Sequence, residues 1–156
     1  MANKIRVTIW NEFRHEKKLE DVRALYPNGM HATIGEYLGK DEELDITLAA
    51  LDDPDQGLPD SVLNNTDVLI WWGHMAHDEV SDALVAKIQQ RVYMGKMGLI
   101  VLHSGHHSKP FKLLMGTSCN LTWREDGDYE LVWVCNPAHP IAQGIGRFIK
   151  LEAEET

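Results

Sequence analysis

Histidine titrates nearest neutrality of all side chains and is also a common zinc ligand. The chain has eight: His15, His31, His74, His77, His103, His106, His107 and His139. Their placement carries more information than their number. His74 and His77 follow the apolar run Val68-Leu69-Ile70-Trp71-Trp72, and His103, His106 and His107 follow Leu99-Ile100-Val101-Leu102. His15 comes just after a strand-like segment, Arg6 to Trp10, and His31 opens the helical segment after Gly29. If these apolar runs are parallel strands, all but His139 lie at one sheet edge, where open α/β sheets bind ligands. Two chemistries suit such a cluster: proton transfer and metal ligation. His74-x-x-His77 could bring two rings to one ion, with His31 or His103 completing the set.

Other polar residues share this edge. Asn11 and Glu12 leave the first strand there. Glu12 could serve as a base or a metal ligand, although a solvated loop carboxylate is the plainer reading. Asp78 and Glu79 read as charges at the start of a long helix, where its dipole favours them. Adjacent Trp71 and Trp72 must point to opposite faces of a strand, so one could stack on a sugar while the other packs in the core. Ser104-Gly105, after a strand and before a helix, is similar to a nucleophile elbow, but the full Gly-x-Ser-x-Gly form is absent. There is no Gly-x-Gly-x-x-Gly and no Walker sequence, which argues against nucleotide binding. No Ser/Thr-rich phosphate loop follows the first strand, which argues against a flavin.

The elements that would position these residues alternate. A strand over Arg6 to Trp10 precedes a short helical piece ending near Leu25 and a helix from His31 to about Leu38, closed by Gly39. Leu44 to Ala49 reads as a strand and Asp52 to Pro59 as a loop. Val68 to Trp72 and Gly98 to Leu102 read as strands buried on both faces. Between them Val80, Leu84, Ile88 and Val92 recur every four residues, a helix stopped by Gly95. A short helix over Phe111 to Met115 ends at Gly116. This is the pattern of a doubly wound, mainly parallel α/β sheet. Beyond it, Asn120 to Arg124 and Glu130 to Cys135 read as a hairpin turning at Asp126-Gly127-Asp128, with Phe148 to Glu152 as a further strand.

The 156 residues fit one domain of globular composition, 44% hydrophobic and 25% charged. A formal net charge of −9 disfavours nucleic acid and anionic membranes as partners. No apolar run is long enough to span a bilayer, and no signal peptide opens the chain. A cytoplasmic location is expected. Cys119 and Cys135 are two cysteines in apolar surroundings, expected as free, buried thiols.

Several stretches together resemble the ThuA-like family, named for a trehalose-utilisation protein. They are Trp10-Asn11-Glu12-Phe13-Arg14-His15-Glu16, Tyr26-Pro27-Asn28-Gly29-Met30-His31, Trp71-Trp72-Gly73-His74-Met75-Ala76-His77 and Gly98 through His106. Lys109-Pro110-Phe111, Trp123-Arg124-Glu125 and His139-Pro140-Ile141 also match. The resemblance implies a flavodoxin-like fold similar to class I glutamine amidotransferases. Those enzymes carry a cysteine at a Cys-x-Gly-His elbow. Here the frame is His103-Ser104-Gly105-His106, so thiolate glutaminase chemistry is not expected. Family members have further chain after this point, including a Gly-His-Glu-like segment, so a C-terminally truncated domain is expected.

The resemblance further implies carbohydrate utilisation beside a sugar oxidoreductase. The expected activity is metal-assisted cleavage or isomerisation of a 3-keto-glycoside, with a divalent ion such as zinc. Catalysis is assigned to His103, His15, Ser104 and Glu12. His31, His74, His77 and His103 are assigned to the metal, and Asn11, His106 and Trp72 to the sugar. His107 and His139 are read as structural. The alternative is a non-catalytic sugar-binding or assembly module that has lost the cysteine, and a homo-oligomer is compatible with either.

Overall fold

Strands with apolar residues on both faces can only be satisfied between two helical layers. The computed structural model, which describes residues 4–123 and 127–152, arranges them so. β1 (Ile5–Asn11), β2 (Leu44–Ala50), β3 (Val68–Trp72) and β4 (Gly98–Leu102) form one parallel sheet in the order β2-β1-β3-β4. The chain moves from β1 outward to β2 through α1 (His15–Lys18), α2 (Glu20–Leu25) and α3 (Met30–Leu38). It then returns across β1 to β3 through α4 (Asp60–Leu63), and α5 (Asp82–Tyr93) leads on to β4. The winding reverses between β1 and β3, which makes that pair the topological switch point.

Period-two alternation divides the core. On one face Trp10, Leu69 and Trp71 pack with Leu84, Val85 and Ile88 of α5. On the other Val7, Ile9 and Ile70 pack with Ile34 and Leu38 of α3. Trp10 and Trp71 are register partners on neighbouring strands. Their rings stack with centroids 3.7 Å apart and planes 13° from parallel. The Trp10 indole N–H donates to the Gln56 carbonyl at 2.8 Å.

Several local expectations are corrected. β4 is the last strand in the sheet order, and its residues are half-buried or exposed, Ile100 at 49%, so it is not buried on both faces. α5 begins later than its apolar repeat. Ser81 is its cap, accepting from the Leu84 N–H at 3.3 Å, and Val80 precedes the helix. Asp78 and Glu79 therefore lie in a separate 3-10 turn, His77–Glu79, outside the first turn of α5. The loop from Asp52 contains a turn at Pro54–Gly57, and α4 follows it. The last helix of the sheet unit, α6 (Lys109–Met115), opens with Lys109 and Pro110 ahead of the predicted Phe111.

The chain divides into two compact units, residues 1–120 and 121–156. In the second, β5 (Glu130–Trp133) pairs antiparallel with β6 (Phe148–Leu151), and Trp133 meets Phe148 across the ladder. The predicted hairpin is thus replaced: Asn120 to Trp123 is not strand, while Arg124, Glu125 and Asp126 lie outside the described residues. Local pattern identified Glu130 onward as a strand but could not choose its partner. Cys119 and Cys135 are free thiols, and neither is buried as expected: Cys119 is half-buried and Cys135 exposed. Among the described residues no helix is long and apolar enough to cross a membrane.

Candidate functional site

The segments leaving β1, β3 and β4 carry the polar side chains of the switch point. Glu12 follows β1 directly and is 1% exposed, so it is not a solvated loop carboxylate. It accepts from the backbone N–H of Met75 at 2.7 Å through Oε1 and of Ala76 at 2.9 Å through Oε2. Both donors lie between His74 and His77, so Glu12 fixes the segment that bears those rings. Gly73 leaves room for it: a Cβ there would stand 3.3 Å from Glu12 Oε2.

His15 opens α1 and turns Nδ1 toward Glu12 Oε1 at 3.9 Å, too far for a hydrogen bond. That nitrogen is buried without a partner. Burial lowers the His15 pKa and the neighbouring His74 adds to the effect, while Glu12 opposes it. His15 is therefore neutral at pH 7 and able to accept a proton. Its ring meets Trp72 edge-on at 5.4 Å and His74 edge-on at 4.9 Å. Trp72 is only 8% exposed, so His15 covers the indole that had been expected to face a sugar. Trp71 lies in the core, as the opposite facing of adjacent strand residues requires.

His103 stands 6.5 Å from His74, centroid to centroid. It is the first residue after β4, with φ of 44° in the left-handed region. A histidine pays a steric penalty there of about 1–2 kcal/mol. The tight strand-to-turn corner is the geometry of an elbow, and it leaves the His103 side chain exposed. Gly105 permits the corner, since a Cβ there would fall 2.7 Å from Val101 Cγ1. Ser104, next on the elbow, has its Oγ 2.6 Å from His74 Nδ1 and 3.3 Å from the Gly73 carbonyl oxygen. The structure thus gathers His15, His74, His103 and Ser104 into one group above Glu12.

The other predicted residues go elsewhere. Asn11 is fully buried and donates through Nδ2 to Glu16 Oε1 at 2.8 Å and to His31 Nδ1 at 3.1 Å. Its Oδ1 accepts from the Phe13 N–H at 2.8 Å. The amide orientation is fixed by these partners, so His31 Nδ1 is an acceptor and neutral His31 carries its proton on Nε2. Burial lowers the His31 pKa, with Glu16 opposing. His31 therefore offers no free lone pair to an ion. His77 instead faces His107 at 6.4 Å, and its pKa is lowered chiefly by burial. His106 donates through Nδ1 to the Cys119 carbonyl at 2.7 Å and leans on His107. His139 caps a turn in the second unit, accepting from the Ile141 N–H at 3.2 Å. Among the described residues, no three His, Cys, Asp or Glu side chains are placed to hold a metal ion.

Glu16 is the residue that sequence alone does not single out. It is buried, and its Oε1 also accepts from the Met30 N–H at 2.9 Å. A lone carboxylate in a polar stretch has no pattern, because its partners come from distant positions. Arg14 is similar: it reaches Asp52 at 2.8 Å and Glu79 at 2.6 Å, tying three loops together.

A parallel sheet wound in this order, with polar side chains clustered at its switch point, defines a flavodoxin-like α/β protein. The chain belongs to the ThuA family, described as trehalose utilisation, whose model matches residues 6–156. A solved structure from Bacteroides uniformis, of a protein described as ThuA-like, superposes with a TM-score of 0.65 at 18% identity. The match covers 99% of this chain and 60% of that one, so the chain spans about three fifths of its length. No curated protein matches the sequence.

Proposed function

We propose that this chain cleaves an oxidised glycoside, a 3-keto-glucoside of the trehalose type, by acid/base chemistry at the His15, His74 and His103 group. The observation that carries the reading is the convergence of these three rings at the switch point, with centroid spacings of 4.9 and 6.5 Å. A ketone at C3 makes the C2 hydrogen acidic. A neutral imidazole removes it, and the resulting enediolate expels the oxygen at C1 with its electron pair. An imidazolium protonates that oxygen, releasing an alcohol. Water then adds across the new C1–C2 double bond, completing net hydrolysis. General acid and base each contribute about 10²–10⁴-fold. The 3-keto substrate would come from a sugar oxidoreductase acting upstream.

The step as written uses the chain's own side chains, a choice supported by the engagement of His31 Nδ1 with Asn11. The test is incubation with a 3-keto-glucoside in deuterated water. Deuterium at C2 and release of the C1 alcohol are expected, and His15→Gln and His74→Gln should each lower both by at least about tenfold. Binding of the sugar without exchange or release would instead identify a non-catalytic sugar-binding module. Exchange that appears only with added zinc would refute the metal-free form of the step.

A further inference from the structure

We propose that Ser104 is a positioning residue, holding His74 protonated on Nδ1 so that Nε2 presents the lone pair that takes the substrate proton. This rests on the acid/base reading above. Ser104 Oγ has two polar neighbours, His74 Nδ1 at 2.6 Å and the Gly73 carbonyl oxygen at 3.3 Å. A serine hydroxyl owns one hydrogen, and a carbonyl oxygen can only accept. If that hydrogen goes to the Gly73 carbonyl, Oγ accepts from His74 Nδ1–H and both contacts are hydrogen bonds. If it goes to Nδ1 instead, two oxygens face one another across 3.3 Å with no hydrogen between them. Only the first arrangement satisfies every partner.

The surroundings favour the same form. An activated serine needs a histidine whose far nitrogen is oriented by a carboxylate. The ring packed on His74 is another imidazole, His15. The nearby carboxylate, Glu12, has both oxygens on the backbone N–H groups of Met75 and Ala76. It steadies the loop rather than the ring. Ser104 therefore follows the left-handed corner residue of the elbow, His103, and its hydrogen is directed away from the histidine.

Side-chain ¹⁵N–¹H correlation spectra of the whole chain, recorded at about pH 8.5 where imidazoles are ordinarily neutral, read the tautomer directly. His74 is expected with a proton-bearing Nδ1 and a bare Nε2. Ser104→Ala should lose this preference and populate the Nε2–H form, while Ser104→Thr should keep it. Unchanged His31 signals, with Nδ1 bare, show that each variant is folded. A bare Nδ1 in the unsubstituted chain would overturn the proposal and make Ser104 a nucleophile candidate. So would a Ser104→Ala spectrum identical to that of the unsubstituted chain. In turnover, Ser104→Ala should lower kcat about tenfold or more with little change in KM, and Ser104→Thr should restore it. The expected tautomer in a chain that neither exchanges C2 deuterium nor releases alcohol would refute the reaction, and with it His74's catalytic role, while leaving the effect of Ser104 on the ring established.

Discussion

Replacing Glu12 with glutamine removes the charge that holds the His74 to His77 segment and turns one of its two acceptors into a donor. The carboxylate now accepts from two backbone N–H groups, at 2.7 and 2.9 Å. Glutamine can keep one of these bonds, and the Ala76 N–H, in the buried contact, takes precedence. The Met75 N–H then faces an NH₂ group, with only partial recourse to solvent. Charge-assisted bonds contribute about 1.5–3 kcal/mol, and an unsatisfied buried donor costs about 1–3 kcal/mol. Relief from burying a charge offsets part of that. The expected net loss is about 1–2 kcal/mol, or about 2–8 °C in Tm for a chain of this size. Thermal and urea unfolding would measure it, with exposed Glu36→Gln as a control expected within about 0.5 kcal/mol. Hydrogen exchange at Met75 should quicken in the variant while that at Ala76 stays protected. A variant as stable as the control, with Met75 exchange unchanged, would refute the clamp.

His103→Gly should raise stability by up to about 1 kcal/mol, because glycine adopts a φ of 44° without the Cβ clash; the same change should abolish the proposed turnover, and a lower unfolding midpoint would contradict the strain. Gly29→Ala should cost more than about 2 kcal/mol by differential scanning calorimetry: φ is 89°, and the new Cβ would lie 2.5 Å from His31 Cε1 and 2.8 Å from Phe13 Cε2. Burial lowers the pKa of His15, His31 and His77 below the ordinary imidazole value of about 6.5. The unfolded chain therefore binds protons that the folded chain refuses. Stability should fall as pH drops below about 6.5, and His31→Gln should flatten the Tm–pH slope between about pH 7.5 and 5.5; an unchanged slope would rule His31 out as a contributor.

The sheet strands were legible in the sequence because their cause is local. Val68 to Trp72 is apolar at every position, and such a run has few homes other than a strand between two layers. The register that stacks Trp10 on Trp71 is not local and could not be read. Nor could the pairing of β5 with β6, since a turn sequence does not reveal which strand returns beside it. The edge position of β4 belongs to the sheet order as a whole.

The histidines divide the same way. Their sequence positions after β1, β3 and β4 already put them on the ligand-binding edge, because parallel strands carry all their carboxyl ends to one side. Which rings meet was decided by packing. Asn11 emerges from β1 with both amide hydrogens engaged, and so withdraws His31 from the group. The Gly73 carbonyl and Ser104 bring His74 beside the elbow. Glu12, whose plainest sequence reading was a solvated carboxylate, is the buried acceptor that fixes the loop. Sequence by itself determined the fold class and the edge at which chemistry could occur, because both follow from periodicity along the chain. Tertiary structure alone determined the partners, since a hydrogen bond between residues 63 positions apart leaves no pattern until the sheet has brought them together.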